Sequence, residues 1–148
     1  VSNVTNMACM FMWSLSFNKH IGGWNTTNVT NMTCMFYNAA SFNQYIGLWN
    51  VTRVKSLNSM FRHAKRFNQD LRNWNISRST DARDMFKYNM KMKKVNKPDL
   101  FDERSNIIPH GADYYKNTDS SFDKCRPIYY VRDIKHGFHN YSYFVLHV

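Results

Sequence analysis

Apolar positions along the chain recur at a step of 25 residues. Val4, Val29 and Val54 keep step, as do the pairs Met10-Phe11, Met35-Phe36, Met60-Phe61 and Met85-Phe86. Phe17, Phe42 and Phe67 follow in the same register, then Ile21, Ile46 and Leu71, then Trp24, Trp49 and Trp74. Polar positions repeat too: Asn18, Asn43 and Asn68 trail the second phenylalanine, and hydroxyls stand at Ser2, Thr27, Thr52 and Ser77. A fixed period in this range marks a repeat architecture, in which each copy is one small unit that buries its apolar face against the next.

Within one copy, Val54, Leu57, Met60, Phe61 and Ala64 fall at helical spacing, which predicts a short helix with one apolar stripe. Thr52 stands just before it, where a hydroxyl can cap the free N–H groups of a first turn. Residues Ile46 to Val51, with Trp49 central, read as a short extended segment. The expectation is an α/β repeat solenoid over residues 1–90, one strand plus one short helix per unit, with identical side chains stacked in ladders about 4.7–4.9 Å apart where strands pair in parallel. A Met and aromatic stripe at this spacing reads as core rather than as a cofactor box. The last copy departs from the pattern at Ser79, Ala82 and Asp84, as terminal repeats do.

From Lys91 the period is lost. Residues 91–125, with Pro98, Pro109 and Gly111, read as an irregular linker. Arg126–Ile134 and Tyr141–Val148 are rich in strand formers and flank a loop containing Gly137, so residues 126–148 read as a hairpin, either a cap on the stack or a docking tail.

Composition bounds the picture without changing it. The chain has 148 residues, 43% of them hydrophobic and 16% aromatic, enough for one packed domain. No apolar run approaches the ~20 residues of a membrane helix. The opening residues carry no signal peptide, and because the chain opens part-way through a copy, further repeat sequence is expected upstream.

Charge adds more. The net charge is +10, yet residues 25–49 hold no Lys, Arg, Asp or Glu. Basic residues resume at Arg53, and two pairs stand one period apart: Arg53 with Arg78, and Arg62 with Lys87. Stacking aligns each pair as like charges, which is unfavourable unless water, salt or an anionic partner relieves it. All four are therefore expected at the surface. Together with Lys65, Arg66 and Arg72 they form the candidate binding set, suited to an anionic glycan, an acidic protein or nucleic acid, or else a solvated basic face.

Catalytic signals are weak, so no enzyme activity and no cofactor are expected. His136, His139 and Cys125 lack a fourth ligand at metal-site spacing. Cys9 and Cys34 occupy one register and are neighbours in a stack; a bridge is conceivable, but Ser59 takes the same place next, which favours small buried residues. Asn3, Asn25, Asn28, Asn31, Asn50, Asn75 and Asn140 lie in Asn-x-Ser/Thr sequons, although Asn25, Asn50 and Asn75 belong to the repeat, where their side chains can satisfy turn backbone.

The stretches from Trp24 to Phe36 (Trp-Asn-Thr-Thr-Asn-Val-Thr-Asn-Met-Thr-Cys-Met-Phe) and from Ser41 to Trp49 resemble the BspA-like, leucine-rich-repeat-related surface proteins, including the 25-residue repeat family of mycoplasma surface lipoproteins. The resemblance covers about residues 1–90. It implies a leucine-rich-repeat-like solenoid displayed at the cell surface or extracellularly, used in adhesion or protein binding, with no catalytic residues. A structural part of a virion or other large assembly is the alternative from a different class.

Overall fold

A computed structural model describes residues 2–100, together with Val131–Arg132 and Tyr141–Ser142. Residues 2–97 form four coils that lie side by side in register. Isolated parallel bridges run Asn6 to Asn31, Asn31 to Ser56 and Ser56 to Asp81, one period at each step.

The expected helix is absent. No α-helix occurs among the described residues, and residues 52–64 form consecutive tight turns. The backbone hydrogen bonds give the reason. At the first junction the N–H groups of Met7, Cys9, Phe11 and Trp13 donate to the carbonyls of Asn31, Thr33, Met35 and Tyr37; the next two junctions repeat this from Met32, Cys34, Phe36 and Asn38 and from Leu57, Ser59, Phe61 and His63, all at 2.8–3.0 Å. A helix would spend those donors internally, four residues back. The intervening N–H groups close short turns instead, as from Met60 to Leu57, Arg62 to Ser59 and Ala64 to Phe61. Buried donors are thus satisfied half locally and half by the neighbouring coil.

This path needs left-handed backbone at two points per coil. Cys9, Cys34, Ser59 and Asp84 form one such column, and Trp13, Asn38, His63 and Tyr88 the other, with φ between 53° and 61°. None is glycine, so each carries a conformational cost that the packing must offset, least at Asn38.

The expected strand at Ile46–Val51 is also replaced. Gly47 and Leu48 form a turn closed by Trp49 N–H to the Ile46 carbonyl at 3.1 Å, and the parallel pairing lies at Ser56. Glycine is required here by proximity: a Cβ on Gly22 would meet the Tyr45 carbonyl oxygen at 2.5 Å, and one on Gly47 the Asp70 carbonyl oxygen at 2.6 Å. Thr52 does not cap a helix. Its N–H donates to Asn50 Oδ1 at 3.0 Å, the same turn that Asn25 makes with Thr27 and Asn31 with Thr33.

Inside the coils the aromatic columns are continuous. Phe11, Phe36, Phe61 and Phe86 stack at 5.5–5.6 Å between ring centroids, and Phe17, Phe42 and Phe67 at 5.7 Å. Within a coil the two columns touch, with Phe36–Phe42 and Phe61–Phe67 both at 4.0 Å. Trp49 Nε1 donates to the Ile21 carbonyl and Trp74 Nε1 to the Ile46 carbonyl, both at 3.1 Å, so each buried indole is satisfied by the coil before it. Trp24, in the first coil, is only half-buried.

A polar relay runs beside the aromatic columns. Asn18 Oδ1 accepts from the Asn43 N–H, Asn43 Oδ1 from Asn68 and Asn68 Oδ1 from Lys93, all at 2.9–3.0 Å. Gln44 and Gln69 add amide bonds back to Asn18 and Asn43. The packing therefore continues past residue 90. Met92 is buried in the column of Phe67, and the short 3-10 turn Lys94–Asn96 is held by Asn96 Nδ2 to the Asn68 carbonyl at 3.2 Å and by Leu71 N–H to the Asn96 carbonyl at 2.9 Å. Residues 91–97 are the end of the fourth coil rather than the start of a linker; the lysines that displace the apolar pattern point outward around the single inward Met92.

Strand β1 (Val131–Arg132) pairs antiparallel with β2 (Tyr141–Ser142), Val131 opposite Ser142. The rest of the expected hairpin, the linker beyond Leu100 and the His136, His139 and Cys125 set lie outside the described residues.

Candidate functional site: the outer charged and aromatic columns

Each coil turns one further set of side chains away from the aromatic core. In the first two coils this set is Cys9 and Met12, then Cys34 and Tyr37, a small separate apolar cluster. In the next two the same places hold Ser59 and Arg62, then Asp84 and Lys87. One backbone position therefore passes from sulfur and aromatic groups to a buried charge network.

That network corrects the expectation that Arg62 and Lys87 are surface groups. Arg62 is 6% exposed. Its Nη1 lies 3.4 Å from Asp84 Oδ2, and Lys87 Nζ lies 3.7 Å from Asp84 Oδ1 with its side chain 5% exposed. Asp84, in the register of Cys9, Cys34 and Ser59, supplies the negative charge that relieves the like-charge pair. The guanidinium also lies 5.7 Å from the Tyr37 ring centre and 5.4 Å from that of Tyr88, which holds Lys87 Nζ at 5.4 Å as well. Burial pushes the Lys87 ammonium below its ordinary value, with the Asp84 charge opposing.

The rim of this column is aromatic. Trp13 lies 6.0 Å from Tyr37, Tyr37 meets His63 edge-on at 5.8 Å, and His63 stacks on Tyr88 at 4.7 Å. Burial lowers the His63 pKa, and the charges of Arg62, Lys65 and Lys87 lower it further. Tyr37 is raised, chiefly by burial. Cys34 is a free thiol, so it is not bridged to Cys9, and burial pushes it up to about 11, leaving it un-ionised at neutral pH.

The remaining members of the basic set are exposed. Arg53 Nη1 donates to Asn28 Oδ1 at 3.0 Å, spanning one junction, and Arg78 lies one period further on. Lys65 and Arg66 are exposed on the third coil. Arg72 is exposed but engaged: Nη2 lies 2.7 Å and Nε 3.2 Å from Asp70 Oδ2, and these hydrogen bonds hold the Asp70 carboxyl down at about 2. The seven candidate residues thus fall into three groups: a buried pair on Asp84, one surface ion pair, and Arg53, Lys65, Arg66 and Arg78 facing solvent.

Sequence reasoning missed the roles of Asp84, Tyr37, His63 and Tyr88. The available signal was the coincidence of Asp84 replacing a small residue in the copy where Lys87 appears. Among the described residues no group of three or more His, Cys, Asp and Glu could hold a metal ion, and no helix is long and apolar enough to cross a membrane.

No curated protein and no solved structure matches the chain. A family model described as "Mycoplasma protein of unknown function, DUF285" matches residues 1–98, the whole of the coiled region just described. The chain belongs to that family.

Proposed function

We propose that the chain is a non-enzymatic solenoid scaffold, acting at the cell surface or extracellularly in adhesion or protein binding. The observation that carries this reading is the separation of two kinds of column on one repeated backbone. The aromatic core columns keep their residues from coil to coil, whereas the outer column of Asn3, half-buried Asn28, Arg53 and Arg78 changes from neutral to basic along the stack. A frame fixed inside and varied outside suits display of side chains to a partner, and its basic end favours an anionic glycan or an acidic protein surface. Membership of a Mycoplasma family and the resemblance to BspA-like surface repeats support the location.

The experiment is adhesion of beads coated with the purified chain to cell monolayers. Binding is expected, reduced by Arg53→Glu with Arg78→Glu and by competing sulfated glycan. Beads that adhere no better than uncoated ones overturn the reading. A role inside a virion or other assembly instead predicts co-purification with shell proteins and no adhesion.

A further inference from the structure

We propose that the C-terminal edge of the stack docks on the surface of an anionic lipid bilayer. The last coil presents Met90 at 87% exposure and Val95 at 63%, large apolar side chains left in water. Between and beside them stand Lys91, Lys93 and Lys94, all exposed. The third coil sets Lys65 and Arg66 one step behind Met90 and Lys91, in the same register in which Asn68 binds Lys93. Neighbouring ring columns show that step to be 5.5–5.7 Å.

None of these five cations makes an ion pair among the described residues, whereas Asp70, Asp81 and Asp84 are each engaged by other basic groups. Met85 to Leu100 hold a single acidic residue, Asp99, beyond the buried Pro98. The turn that carries the edge is anchored by the inward Met92 and by Asn96 on Asn68, so it is built rather than loose.

Cations alone suit any polyanion. The two exposed apolar side chains among them select a partner that offers both negative headgroups and an apolar layer just beneath, which is an anionic bilayer. A soluble glycan or nucleic acid leaves Met90 and Val95 in water.

This contact is separate from the adhesion reading, and vesicle composition tests it alone. The full chain is floated with vesicles of phosphatidylcholine and of phosphatidylcholine containing phosphatidylglycerol. Partition onto the anionic vesicles only is expected. Lys91→Glu, Lys93→Glu and Lys94→Glu together lower it by about a hundredfold or more, from roughly fivefold per basic residue near such a surface. Met90→Ser with Val95→Ser, charges intact, lowers it by about tenfold from the lost apolar transfer. Both positions are exposed, so this pair decides the matter even if the triple variant melts early. No partition, equal partition onto both vesicles, or binding indifferent to the Met90 and Val95 changes overturns the proposal; the last outcome points to a soluble polyanion or an acidic protein.

Discussion

The second coil, residues 25–49, and the fourth, residues 75–97, share one backbone and almost no surface chemistry. Both bridge through the same position, Asn31 and Asp81, and both place a phenylalanine in the same stack, Phe36 and Phe86. The second has no ionisable Lys, Arg, Asp or Glu; the fourth sets the half-buried Asp84 against the Arg62 and Lys87 side chains. The inward columns and the asparagine turns therefore specify the coil. The outward column is free to change, provided that it changes in concert, because a buried Arg or Lys is tolerated only beside its carboxylate.

The largest expected effect tests the shared part. Trp49→Ala removes a buried indole and one of the two donors to the Ile21 carbonyl, for a loss of about 3–5 kcal/mol in denaturant melts. Trp24→Ala, at a half-buried position with no earlier indole acceptor, is expected to cost clearly less. Equal losses would dissolve the distinction between inner and end coils.

The divergent part is tested by making the fourth coil resemble the third. Asp84→Ser removes the carboxylate that Arg62 and Lys87 share and is expected to cost about 3 kcal/mol. Adding Arg62→Tyr and Lys87→Met, the residues of the earlier coils, should restore most of the melting temperature. If the single change is silent, the network is not what holds this column.

Gly47→Ala comes next, at about 1–3 kcal/mol, because its methyl group meets the backbone carbonyl oxygen of Asp70 at 2.6 Å as well as the Tyr45 ring at 2.7 Å. A smaller, pH-dependent effect belongs to His63. Its folded pKa is depressed, so the folded state resists protonation, and stability falls as pH drops below the unfolded value of about 6.5 toward the lower folded value. His63→Asn, the residue that Asn38 places in the same left-handed position, should flatten the profile as pH falls below about 6.5. The smallest effect is expected for Arg53→Glu with Arg78→Glu, whose melting should stay within about 0.5 kcal/mol per site while adhesion changes.

Much of this frame was legible in the sequence. The period, the Met-Phe and Trp columns and the use of Asn50 in a turn all follow from residues in register. The helix at Val54–Ala64 was not correctly legible. Apolar residues spaced three and four apart suit a helix, and they equally suit successive tight turns that face one core. The deciding groups are backbone donors that reach a coil 24 residues away, and the left-handed positions at Ser59 and His63 carry no glycine to mark them. Arg62 was misplaced for a related reason. Its partner Asp84 is 22 residues distant and becomes a neighbour only once the coils are stacked.

The asparagine and indole relays point one way along the stack, from each coil back to the one before. Asn18 receives the amide of Asn43, Ile21 the indole of Trp49, and each later coil repeats the gesture toward the one before. A coil emerging from the ribosome therefore finds the acceptors for these side chains, and the N–H donors of the backbone ladder, already in place on the coil made just earlier. Assembly can proceed as a zipper in the direction of synthesis, with each step closing a loop of about one period rather than waiting for the distant end of the chain.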